Sequence, residues 1–192
     1  MNTALLVLRV VPGLLLVGHG LQKLVPPRYS PPLLHAMGPR GTAAGFEQLG
    51  FRPGLPMALL AGSAEILGGI SLGAGLLTPV GTILIGAVMM TAILTAHIRH
   101  GIWNAEGGFE FPLVLMTVAF VISALGAGSY SVNAWAHVAN WAGIHWSMSH
   151  VARAGIVLAI GAVAGLLTVI AALASRRAPA PRPTGGVPAT GH

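Results

Sequence analysis

Five stretches of the chain carry at most two charged side chains each and end at polar or turn-forming residues. Residues 4–24, "ALLVLRVVPGLLLVGHGLQKL", have the length of a membrane helix, which needs about 20 mainly apolar residues. The first positive side chain comes only at Arg9, and no small-x-small cleavage site follows, so this reads as a retained span rather than a signal peptide. Residues 56–77 predict a second span with Glu65 near its middle. Thr78 and Pro79 predict a tight connection, with Thr78 as N-cap and Pro79 at the first helical position. A third span follows over 80–97, then a polar loop, "RHGIWNAEGGFEF". Pro112 opens a short fourth span, 112–125. Residues 132–150 mix three of the four tryptophans with His and Asn. That is too polar to span, and its aromatics suit the headgroup region, so an interfacial helix is expected. A fifth span runs over 151–174, and the Pro-rich, Arg-bearing tail from 175 is expected to be disordered. The fold class is therefore all-α. A four-helix transmembrane bundle over 1–130 is followed by an interfacial segment over 131–150, an additional transmembrane helix over 151–174 and a tail over 175–192.

Composition supports the membrane reading. Apolar residues make up 54% of the chain and charged residues 7%. A soluble domain carries about 25% charged residues. The net charge of +6 would suit nucleic acid, but the basic residues lie mostly at segment ends and in the tail, which points away from it. There is no cysteine, which excludes disulfide exchange, thiol relays, iron–sulfur ligation and Cys-based zinc sites. With five spans, Lys23, Arg28, Arg40, Arg52, Arg99, Arg176, Arg177 and Arg182 share one face, opposite Arg9 and Arg153. Eight against two places the N-terminus outside and the C-terminus in the cytoplasm. Many Arg and one Lys, with abundant Ala, Gly and Pro, suggest a GC-rich bacterial genome, and the expected setting is the bacterial plasma membrane.

The polar residues then crowd one half of the bundle. At about 1.5 Å per residue, His19 lies roughly 7 Å inside the cytoplasmic face and Glu65 about 14 Å. Lys23, His97, His100, Glu106 and Glu110 lie at or above that face, which predicts a cup opening toward it. A carboxylate near mid-bilayer is costly and is usually paired or functional, and Arg9, Lys23 and His19 are its candidate partners. Each also has a structural reading: an interhelical hydrogen bond for His19, snorkelling for Lys23 and Arg9, and a helix N-terminal charge for Glu110. The "HIRH" pair has metal-like composition but weak spacing, and neither a metal nor a haem is expected.

Several of these segments together resemble the DoxX family. "LRVVPGLLLVGHGLQKL" is similar to its opening helix, "LAGSAEILGGISLGAGLLTPVG" to its second, and "GGFEFPLVLM" to the start of its fourth. "GAGSYSVNAW" resembles its closing segment, with Ser129 and Asn133 where an Arg and an Asp are expected. The resemblance covers about residues 4–135. It implies a four-helix membrane bundle, quinone-linked oxidation (as in a thiosulfate:quinone oxidoreductase) and soluble redox partners. Carried onto this chain, Arg9, His19, Lys23, Glu65 and Glu110 match the polar positions of the motifs. The leading expectation is a membrane subunit that binds quinone in the cup through Arg9, His19, Lys23, Glu65, His97 and Glu110. Glu65 and His19 would be its catalytic residues, with His19 and Lys23 donating to a carbonyl and Glu65 relaying protons, and a separate membrane or peripheral redox protein would donate electrons. Whether the chain is itself catalytic stays open. A non-catalytic anchor is the alternative, using "GISLG" (Gly69 to Gly73) and "GAVAG" (Gly161 to Gly165) to pack against another membrane protein or another copy. A small-molecule transporter is the other.

Overall fold

The computed structural model describes residues 2–137 and 148–176. Every regular element among them is helical; besides 3-10 turns at Pro27–Tyr29 and Asn104–Glu106 they are α1 (Asn2–Leu24), α2 (Gly38–Gln48), α3 (Gly54–Ala74), α4 (Thr78–Ala92), α5 (Glu110–Leu125), α6 (Val132–Trp135) and α7 (His150–Arg176). A π-helical turn, Ile93–His97, and a 3-10 turn, Ile98–His100, prolong α4 into one rod.

Four helices are long and apolar enough to cross a membrane: Asn2–Leu24, Gly54–Ala74, Thr78–His100 and His150–Ala174. The short fourth span expected over 112–125 is an apolar helix below that length, starting two residues earlier, at Glu110. α5 has 16 residues, about 24 Å at 1.5 Å per residue, against a hydrocarbon core of about 30 Å.

α1 and α3 run antiparallel with their backbones in contact. The buried positions of α1 are Arg9, Gly13, Leu16 and Gly20, one stripe at alternating spacings of four and three. Opposite them α3 buries Ala58, Gly62, Glu65, Gly69 and Leu72. A Cβ on Gly13 would sit 2.7 Å from the Gly69 carbonyl oxygen, and one on Gly69 would sit 2.6 Å from that of Gly13. No side chain fits at this crossing. The "GISLG" stripe is therefore used within the chain.

α3 turns into α4 at Gly75–Leu77. The structure corrects the expected cap: Leu77, not Thr78, is the N-cap, in the left-handed region at φ 47. Leu77 N donates to Asn133 Oδ1 (3.2 Å), and Ser71 Oγ lies 2.7 Å from the Leu76 carbonyl oxygen, so side chains secure the turn. α4 meets α5 through Thr82, whose hydroxyl is shared between the carbonyls of Thr78 and Ala119 at 3.0 Å each. Leu16, Leu72, Ile85, Met89, Leu115 and Ile122 fill the core between these helices.

α7 lies parallel to α4. Gly161 and Gly165 rest on the backbone of Ile83 and Ala87, and Thr91 Oγ1 lies 3.4 Å from the Gly165 carbonyl oxygen. The "GAVAG" stripe is therefore also taken up inside the chain. In the alternative reading as an anchor, both stripes would face another molecule. They instead meet their own neighbours because small residues let backbones approach wherever the partner is, tethered or not.

Two other expectations change. The segment between the first two spans contains α2, which sequence reading passed over as loop. With three glycines in eleven residues, "GPRGTAAGFEQ" has weak helix propensity, and its helix is secured by docking on α3. Of the expected interfacial helix over 132–150, α6 and His150, the first residue of α7, belong to described helices, and 138–147 lie outside the described residues. The tail beyond 176 lies outside them too.

Candidate functional site

Helix direction decides which polar side chains meet. Side chains lean toward the N-terminus of their own helix. Lys23, near the end of α1, therefore leans back into the bundle. Glu65, on the antiparallel α3, leans up toward the α1 C-terminal end, called the rim here. They meet: Lys23 Nζ lies 2.7 Å from Glu65 Oε2. The carboxylate is 5% exposed and the lysine side chain 21%. Lys23 Nζ also lies 3.3 Å from the His19 carbonyl oxygen, and Thr42 Oγ1 donates to the Lys23 carbonyl (3.4 Å). Lys23 is thus tied inward rather than extended toward headgroups.

His19, one turn below, donates from Nδ1 to Gln22 Oε1 (3.2 Å), and Gln22 Nε2 donates to the Leu34 carbonyl (2.8 Å). The imidazole stands 5.8 Å from the Phe111 ring at 60°. His97, in the π-helical turn, donates from Nδ1 to the Gly107 carbonyl (2.7 Å).

These groups line a cavity of about 580 Å³. His19, Lys23 and Glu65 supply a polar cluster in its lining and His97 a further polar group; the remaining walls come from α2 through α5 and Thr168 of α7, and are mostly apolar. Phe46 and Phe51, packed edge to face at 5.4 Å, are part of its lining. Sequence reasoning missed these two aromatics. They lie in a polar stretch, "GFEQLGF", and only the docking of α2 turns them inward.

Two of the expected site residues are elsewhere. Glu110 is outside the lining, and its Oε2 accepts from Asn104 N (3.0 Å), holding the loop before α5. Arg9 is at the opposite end of the bundle. It is 1% exposed, leans away from Glu65 and donates from Nη2 to the Tyr130 carbonyl oxygen. Its guanidinium packs on Gly75, the C-cap of α3 at φ 67, where a Cβ would overlap it. Partial negative charge at that helix end favours the cation. Arg9 pins the 128–133 segment onto the α3–α4 turn, beside the Asn133 bond.

His97 and His100 bond to different carbonyls, Gly107 and Ala96. Among the described residues no three His, Cys, Asp or Glu side chains group as metal ligands would.

Comparison with known proteins adds one finding. Residues 4–98 match the DoxX family model. The match takes in α1 to α4 and is shorter than the resemblance over 4–135, leaving α5 and α7 beyond it. No curated protein matches the chain, and no solved structure matches it. DoxX is a membrane family often linked to oxidoreductase-associated functions. With its four membrane-length helices and a DoxX domain over residues 4–98, the chain belongs to the DoxX family.

Proposed function

We propose that the chain is the quinone-binding membrane subunit of an oxidoreductase system, in which a separate redox protein supplies the electrons. One observation carries this: a mostly apolar cavity of about 580 Å³ is lined by a lysine–glutamate pair and by the imidazoles of His19 and His97. A quinone asks for a flat apolar slot and polar contacts at its carbonyls, and it takes up two electrons and two protons. The residues fit that group. Phe111 and Leu115 offer apolar surface beside His19. Lys23 presents N–H donors in the polar cluster. His19 Nε2 has no partner among the described residues, so the ring can pass a proton to or from an occupant. Glu65 is the carboxylate in the lining; it holds the ammonium in place and is a proton store within reach of His19 and Lys23. The rest of the reading is the bacterial plasma membrane, with the rim and its arginines toward the cytoplasm, where a peripheral donor would dock.

The test is the quinone content of the full chain in native lipid discs, by solvent extraction and mass spectrometry. Near-stoichiometric quinone is expected in the wild type and a clear loss in Glu65→Gln and His19→Ala. Quinone no richer than in bulk membrane, from folded wild-type protein, would leave the chain as a scaffold.

A further inference from the structure

A second, smaller cavity of about 260 Å³ opens beside the first at the rim. The C-terminal end of α2, the π-helical turn of α4 and the last turns of α7 form its walls. Leu94, Val169 and Leu173 make an apolar trough, while Gln48, Thr95 and Arg99 supply polar atoms at the rim end. Leu49, Phe51 and Thr95 line both cavities, so they form the partition between them. The π-helical turn explains the trough: one extra residue per turn displaces the helix wall at Ile93–His97, close to α7.

Arg99 decides what the trough takes. It is exposed, no acidic side chain lines the cleft, and the Lys23–Glu65 ion pair does not involve it. Of the other carboxylates, Glu47 and Glu110 are engaged by the backbone N–H groups of Gly54 and Asn104, and Glu106, in the loop after Arg99, is outside the lining. An uncompensated guanidinium at the polar end of an apolar trough, at the end of membrane-length helices, is complementary to an anionic amphiphile. We propose that this cleft binds one anionic phospholipid, its phosphate on Arg99 and an acyl chain along Leu94, Val169 and Leu173. Basic pockets between membrane helices recognise anionic headgroups in this way. The lipid completes the outer wall of the partition. The proposal is independent of what fills the larger cavity.

The test is native mass spectrometry of the full chain, purified and offered equimolar phosphatidylglycerol and phosphatidylcholine of identical acyl chains. The wild type is expected to retain one phosphatidylglycerol about fivefold over phosphatidylcholine, the size of one basic group's attraction to anionic lipid. Arg99→Gln should fall to parity. Leu173→Trp, which fills the trough and keeps the arginine, should lose the lipid as well, and Arg40→Gln, away from the cleft on α2, should keep the preference. Parity in folded wild-type protein overturns the proposal, as does a preference that survives Arg99→Gln. So does a loss in Arg40→Gln equal to that in Arg99→Gln, since the rim as a whole would then be attracting the lipid. Loss in Arg99→Gln with full retention in Leu173→Trp also overturns it, by leaving a headgroup contact without a seated chain.

Discussion

Lys23 stands one residue from the end of α1 and has water within reach, yet its ammonium turns inward to Glu65. The carboxylate explains this, because at 5% exposure it would otherwise be a buried charge with no counter-ion. Removing one partner of such a pair costs about 3–5 kcal/mol, whereas replacing both by apolar groups is often neutral. Lys23→Met should therefore lower thermal stability in detergent sharply, and Lys23→Met/Glu65→Leu should recover most of the loss. Equal losses in the single and double variants would mean that the ion pair is not what holds this position together. From the sequence, Glu65 was recognisable as a costly residue in need of a partner, but three candidates on α1 were equivalent. The choice follows from two facts invisible in one helix alone: α1 and α3 are antiparallel, and side chains lean toward their own N-termini. The same lean carries Arg9 away, to Tyr130 and Gly75.

Between elements, the contacts that set the fold are backbone on backbone. Gly69→Ala would bring its Cβ to 2.6 Å from the Gly13 carbonyl oxygen and 3.0 Å from Leu16 Cβ, and α1 would have to move. Overpacking of this kind costs about 1–3 kcal/mol. Gly18→Ala, on the same pair of helices, meets nothing within 4 Å and gains helix propensity, about 1 kcal/mol. Thermal unfolding should thus separate two chemically identical substitutions by sign. A destabilised Gly18→Ala, or an unaffected Gly69→Ala, would contradict the crossing described. The long helices were legible because 18 or more apolar residues leave few alternatives. α2 was not, because its helix depends on a neighbour rather than on its own residues. Nor was the partner of each glycine stripe, since spacing reports that a surface is flat and not what lies on it.

At the scale of the molecule, the basic residues Arg28, Arg40, Arg52 and Arg99 all stand at the rim, with Arg153 at the start of α7 on the other end. Because the chain has no cysteine, single cysteines report sidedness without background. In spheroplasts, Trp135→Cys is expected to react with an impermeant maleimide, and Leu33→Cys only after lysis; both positions are exposed. The reverse pattern would invert the orientation and put the larger cavity's polar cluster on the outer side. Alternating helices and charge counting gave the sequence reading its rim. The cavity behind it needed α2 and α7, one unpredicted and the other beyond the DoxX match. α7 has a consequence of its own. It lies parallel to α4 on a glycine-lined face, which is the arrangement a second subunit would present across a two-fold axis normal to the membrane. Here that neighbour is part of the same chain. The α4 face is filled at a local concentration set by the connecting segment, so its occupancy does not depend on how much protein the cell makes.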